Sequence, residues 1–171
     1  MTRHLILIRH AKSDWSDPAL GDFDRTLTKR GERSAVAIGQ WLDAQSFRLD
    51  TVLISAARRT RETWELLSGQ LSNTPEAHVL ESLYHAPPGT ILQAIAKVET
   101  GNVAIIAHNP GLAALATQLS CGQHNHPDFS RYPTCATAVF AFEDWSDLSE
   151  GRAVLEDFVI PRELLSDQGS D

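Results

Sequence analysis

The chain has 171 residues, 42% of them hydrophobic and 22% charged, with a formal net charge of −7. That length fits one domain with a substantial core, and no apolar run approaches the roughly 20 residues a bilayer span requires. The acidic balance excludes a general nucleic-acid binder, the two cysteines, Cys121 and Cys135, are too few for a disulfide framework, and the N-terminus lacks a secretory pattern, so a cytoplasmic location is expected.

Leu5-Ile6-Leu7-Ile8 predicts a buried strand, because four consecutive apolar residues suit a strand covered on both faces. The run stops at Arg9 and His10. Residues 12–26 are polar, with Asp, Pro and Gly, and read as a loop. Thr28 is the expected cap of the next helix, with Glu32 in its first turn. Ala35, Ile38, Trp41 and Leu42 then recur at helical spacing. Residues 51–54 read as a second strand. Residues 59–71 read as a second helix, with Trp64, Leu67 and Leu71 on one side, and 78–80 as a short third strand.

Pro87-Pro88-Gly89 introduces a helix over 90–98 with Thr90 as its expected N-cap, and Gly101 ends that segment. Residues 102–107 form the fourth strand, Asn109-Pro110-Gly111 a turn, 112–119 a helix and 121–134 a loop. Residues 135–142 and 153–160 are two late strands, joined by a polar segment as an antiparallel pair. The alternation predicts an α/β protein, a three-layer α/β/α sandwich with a mostly parallel central sheet and an antiparallel element. A single domain is expected over 1–163, followed by a polar tail over 164–171.

Three strand ends carry chemistry. The first ends in Arg9-His10, the second in Ser55-Ala56-Ala57-Arg58-Arg59, and the fourth in Ala107-His108-Asn109-Pro110-Gly111. Parallel strands deliver all three to one edge of the sheet, where ligands collect in such folds. A guanidinium binds two phosphate oxygens at once, and a neutral imidazole is a good nucleophile toward phosphorus. Its other ring nitrogen must be held as a donor, which a backbone carbonyl can do. A second histidine can donate to the oxygens that gain charge in the transition state. The pattern predicts phosphoryl transfer through a phosphohistidine. No cofactor or metal is expected, since Arg9, Arg59 and the second imidazole offset the charge. The sequence has no Gly-rich phosphate loop, which excludes a P-loop NTPase. His124 and His126 lie two apart without a third ligand at useful spacing, and His4, His78, His85, His124 and His126 are assigned no special role. Trp15 is placed at the pocket rim, and Trp41, Trp64 and Trp145 against the core.

Arg9-His10-Ala11 resembles the Arg-His-Gly signature of the histidine phosphatase superfamily, which includes the phosphoglycerate mutases. The stretch from Arg9 to Ser16 is similar to the extended signature, with Ser16 where many members have Asn. Leu27-Thr28-Lys29-Arg30-Gly31-Glu32-Arg33-Ser34-Ala35 resembles the family's entry to its first helix. Ser55-Ala56-Ala57-Arg58-Arg59-Thr60-Arg61-Glu62-Thr63 resembles Ser-Pro-x-x-Arg-Ala-x-Gln-Thr, a register that selects Arg59 rather than Arg58. His108-Asn109-Pro110-Gly111 resembles the second-histidine motif of the SixA-type branch, the small protein phosphohistidine phosphatases. The resemblance implies His10 as nucleophile, with Arg9, Arg59 and His108 completing the phosphate pocket and Ser16 and Arg25 as further substrate contacts. The alternative for Arg25 is a pair with a neighbouring aspartate. Mutase-like members carry a general acid after the third strand, where Glu81 stands. The alternative is that Glu81 is a solvated loop residue, since Ser82-Leu83-Tyr84-His85-Ala86 follows the SixA-type pattern, which often lacks that acid.

Residues 71–102 leave no room for the insertion that covers a small substrate in mutase-like members, so an open pocket is expected. An open pocket suits phosphohistidine on a protein, a phosphotransfer domain or a phosphocarrier. The alternatives are a metal-independent phosphatase of small phosphomonoesters or nucleotides, and a non-catalytic phosphate-binding module. Neither a nucleic acid nor a membrane is an expected partner.

Overall fold

The structure is a computed structural model, described here for residues 1–98, 101–149 and 151–166. Among the described residues six strands form one sheet: β1 (Arg3–Arg9), β2 (Thr51–Ser55), β3 (Glu76–Leu80), β4 (Val103–Ala107), β5 (Thr137–Phe142) and β6 (Val154–Val159). Their order is β3-β2-β4-β1-β5-β6. The first four run parallel, with Arg9 opposite Ala107 at the shared carboxyl edge. β5 is antiparallel to β1, and β6 is antiparallel to β5. The expected α/β sandwich with an antiparallel element is what forms.

Alternation along the strands builds two separate cores. Leu5 and Leu7 of β1, Leu53 of β2 and Val103 and Ile105 of β4 point to one face. There they meet α3 (Pro88–Ile95) and α4 (Gly111–Ser120), together with Phe129 and Tyr132 from the loop that follows. Ile6, Ile8, Val52, Ile54, Ala104 and Ile106 point to the other face. There α1 (Lys29–Asp43) and α2 (Arg58–Ser68) cover them. Trp41 and Trp64 pack against this second core and Trp145 against the first, as expected. Because β1 to β3 are linked over one face and β3 to β5 over the other, the β1 and β4 ends lie together where the winding reverses.

Helix boundaries correct the sequence reading in places. Thr28 does cap α1, its hydroxyl accepting from the Gly31 N–H at 3.0 Å. Thr90 is not an N-cap. α3 starts two residues earlier, at Pro88, because proline at a first helical position leaves no donor unsatisfied. α2 spans 58–68 rather than 59–71. The 12–26 segment carries a 3-10 turn, Asp22–Asp24, and an isolated bridge between Ser13 and Leu27. A short α5 (Ser146–Ser149) lies in the polar connection between the late strands. α6 (Pro161–Ser166) runs through the boundary expected at 163, and Leu164 packs on the second core. Residues 167–171 of the expected tail lie outside the described residues.

Candidate active site

β1 ends at Arg9, and the chain turns over the carboxyl edge at His10. The His10 N–H donates to the Ala107 carbonyl at 3.0 Å, which ties the ends of β1 and β4 together. The ring is buried, 6% exposed. Its Nδ1 lies 2.7 Å from the Ala11 carbonyl oxygen. A carbonyl only accepts, so Nδ1 carries the proton and Nε2 the lone pair. The Ala11 N–H donates to Thr63 Oγ1 of α2 at 3.0 Å, and that hydroxyl donates to the Arg59 carbonyl at 2.7 Å. Ala11 shows none of the positive φ that a glycine there would permit.

Arg59 enters from the first turn of α2 and is only 1% exposed. Its Nη2 donates to His108 Nδ1 at 3.1 Å. His108 therefore presents a lone pair at Nδ1, and its Nε2–H donates to Ser55 Oγ at 2.7 Å. The His10 and His108 rings sit 5.3 Å apart. Arg9 donates through Nη1 to the Tyr132 carbonyl at 3.0 Å. Arg25, also buried, reaches Ser13 Oγ and, at 2.7 Å, Asp22 Oδ1. Its guanidinium lies 3.4 Å from the ring centroid of Trp15, which is 73% exposed and so occupies the rim as expected. Arg58 points away, paired with Glu62 at 2.9 Å on the exposed helix face.

The electrostatics follow from burial among cations. Burial lowers the His10 pKa to about 3, assisted by the charges of Arg59, Arg9 and Arg25 against the opposing Ala11 hydrogen bond. His108 falls to about 2, again chiefly through burial, with His10 and Arg59 adding to it. Arg9 is lowered by burial and then by Arg59. The Nε atoms of Arg9, Arg25 and Arg59 are buried without a hydrogen-bond partner among the described residues. Unsatisfied cationic donors around a neutral imidazole make a site for an anion with several acceptor oxygens.

One carboxylate already stands in this field. Asp22 accepts at Oδ2 from Arg59 Nη2 at 3.1 Å, and its carbonyl accepts from Arg59 Nη1 at 2.6 Å. The Tyr84 hydroxyl donates to the same Oδ2, and His85 Nε2 lies 3.0 Å from it. Burial alone would raise the Asp22 pKa. Hydrogen bonds from Tyr84, Arg25 and His85, with the charge of Arg59, hold it well below the ordinary carboxylate value.

The structure thus brings together Arg9, His10, Arg25, Arg59 and His108. It does not bring in Ser16, whose backbone N–H donates to Asp14 Oδ1 at 2.7 Å. Glu81 opens a 3-10 turn as an exposed residue, and that loop meets the pocket through Tyr84 and His85 instead. His85, to which the sequence reading gave no special role, lies at this pocket. Its ring lies 5.1 Å from His108. His126 pairs with Glu163 and His124 stacks on Phe129, away from this pocket. Asp22 was not singled out, and Ser55, Thr63 and Tyr84 entered only as members of motifs, with no site role of their own. For Asp22 the available signal was its i,i+3 spacing to Arg25.

A sheet with this winding and two imidazoles among buried arginines defines a class. The profile of the histidine phosphatase superfamily (branch 1) matches residues 5–84, and the chain belongs to the histidine phosphatase superfamily, in its SixA-type branch. A protein assigned as the phosphohistidine phosphatase SixA of Agrobacterium tumefaciens superposes with a TM-score of 0.81 at 29% identity, over 93% of this chain and 98% of that one. The protein histidine phosphatase SixA complexed with tungstate superposes with a TM-score of 0.76 at 25% identity, over 94% and 99%. An uncharacterised protein of Mycobacterium tuberculosis is 34% identical over 91% of this chain and all of its own length. The protein is a phosphatase, and no helix among the described residues is long and apolar enough to cross a membrane.

Proposed function

We propose that the protein removes the phosphoryl group from phosphohistidine on a protein substrate, through a covalent phosphohistidine at His10. The observation that carries this reading is the neutral His10 ring, its Nδ1–H tied to Ala11 and its Nε2 lone pair left free in the field of Arg59, Arg9 and Arg25, whose buried Nε atoms have no hydrogen-bond partner among the described residues. In the first step His10 Nε2 forms a bond to phosphorus while the substrate P–N bond breaks, its electron pair leaving on the substrate imidazole. In the second, water attacks phosphorus, the His10 P–N bond breaks with its electron pair returning to Nε2, and the protons of the water stay on the departing inorganic phosphate. Arg9, Arg25 and Arg59 hold the non-bridging oxygens, and His108 stands beside them. Asp22 must withdraw from Arg59 to admit phosphate, because both occupy the same fork. An imidazole leaves easily, so an exposed Glu81 is no obstacle.

A second reading, hydrolysis of small phosphomonoesters, gains support from His85. An imidazole held by a carboxylate at the pocket mouth is a proton carrier, which an alkoxide leaving group needs. The experiment is rapid-quench labelling with histidine-phosphorylated protein and with an alkyl phosphoester. The expected result is an acid-labile, base-stable phosphoenzyme on His10, formed far faster from phosphohistidine. Faster labelling from the ester promotes the second reading, and turnover without a labelled enzyme overturns both.

A further inference from the structure

A second feature lies on the same carboxyl edge of the sheet. A groove of about 590 Å³ is walled by Lys12, Arg30, Arg33, Arg131 and Arg162. Ile160, Pro161 and Leu165 give it apolar surface. These segments follow β1 and β6, precede β5 and open α1, so the topology sets the groove beside the pocket. Its near wall abuts the nucleophile. Lys12 is two residues beyond His10, and the Cys135 N–H, just after the lining residues Pro133 and Thr134, donates to the His10 carbonyl at 3.0 Å.

The charge there runs against the whole chain, which carries a net −7. Among the described residues, no acidic side chain lines the groove. Arg131 and Arg162 share one carboxylate, Asp128, at 3.3 and 3.1 Å. Lys12, Arg30 and Arg33 are exposed, and among the described residues none has an acidic partner. These cations are solvated and spread over several segments, unlike the buried fork at Arg59. Such a surface grips a single phosphate weakly. Distributed cations beside apolar surface instead match an extended chain bearing several carboxylates and a few apolar side chains.

We propose that this groove docks an acidic polypeptide segment of the substrate protein, next to the residue that enters the His10 pocket. The proposal rests on the phosphoprotein reading for its purpose but not for its test. The probe is a fluorescein-labelled, unphosphorylated peptide of about twelve residues, mixing glutamate with leucine. A lysine-for-glutamate peptide is the control. Binding is followed by anisotropy on the full chain, wild type, Arg30→Ala/Arg33→Ala and Arg30→Glu/Arg33→Glu, with circular dichroism to establish folding.

The acidic peptide is expected to bind wild type and to weaken as salt rises. The alanine pair should weaken it about tenfold, the sum of two exposed ion pairs, and the glutamate pair further. Hydrolysis of phosphoramidate, a small P–N substrate that does not reach the groove, should stay within about twofold in both variants. For a histidine-phosphorylated acidic protein, KM should rise by the factor lost in peptide binding. Equal peptide binding by all three proteins, or none by wild type, overturns the groove. So does a matching fall in phosphoramidate turnover. If wild type binds the peptide but does not hydrolyse phosphohistidine, the functional reading fails and the groove stands.

Discussion

At His10 a single backbone carbonyl decides the chemistry. Nδ1–H donates to Ala11, so the lone pair is fixed on Nε2, and burial, assisted by the surrounding cations, keeps it free of a proton. His10→Ala should abolish turnover while the melting curve stays close to wild type, and residual turnover in the folded variant would remove the covalent route. Arg59→Ala should lower kcat/KM roughly 10²–10³-fold, as for loss of one transition-state donor. Arg58→Ala should change it little, because Arg58 serves Glu62 on the surface. The reverse result would show that the motif register is wrong. Asp22→Asn should strengthen inhibition by vanadate roughly tenfold, by freeing the Arg59 fork of a competing charge. Weaker inhibition would instead make Asp22 the group that orients Arg59. Much of this site was legible because Arg9, His10, Arg59 and His108 each follow an apolar strand, and strand ends of one sheet meet. Asp22 and His85 were not, since 63 positions separate them and neither lies in an apolar pattern. Their meeting is set by the loops after β1 and β3, whose course no periodicity encodes.

The helices place the site by their beginnings. α1 starts against the loop after His10 so closely that a Cβ on Gly31 would lie 2.3 Å from the Lys12 carbonyl oxygen. α4 does the same on the other face, where a Cβ on Gly111 would meet the Ala86 carbonyl at 1.8 Å, next to His85. Backbone cannot yield as a flexible side chain can. Gly31→Ala should therefore cost about 1–3 kcal/mol in chemical denaturation and lower kcat as well, because Lys12 is displaced along with the His10 loop. An unchanged kcat would mean that the loop absorbs the shift without moving His10. The sheet was readable from sequence, since Leu5 to Ile8 must be covered on both faces and the odd and even residues do enter different cores. Helix starts were readable where a side chain caps, as at Thr28, and misread where proline geometry replaces the cap, as at Pro88. The last helix was hidden because the stretch that begins at Pro161 is short, and the leucine by which it packs on the second core, Leu164, shows no helical period.

Across the whole molecule, the pocket makes stability depend on pH. His10 and His108 are neutral in the folded chain down to about 3 and about 2, and burial is the first cause for both. In the unfolded chain each takes the ordinary imidazole value near 6.5. Between that value and the folded ones, the unfolded state binds more protons, so stability rises with pH and is lost as pH falls. The folded fraction therefore gains nothing from these two rings above about pH 6.5, and each ring removes about 1.4 kcal/mol per pH unit below it. Carboxylates held down by hydrogen bonds, Asp22 among them through Tyr84, Arg25 and His85, act in the same direction but only near and below their ordinary value of 3.8. The interval from pH 6.5 to about 4.5 thus isolates the histidines. Urea denaturation at pH 7.5, 6.5, 5.5 and 4.5 should show a plateau followed by a decline. In a His10→Gln/His108→Gln double variant that decline should be shallower by close to the two-histidine amount, whatever its stability at pH 7.5. Parallel declines would mean that both rings accept protons in the native state, and the neutral nucleophile would go with them.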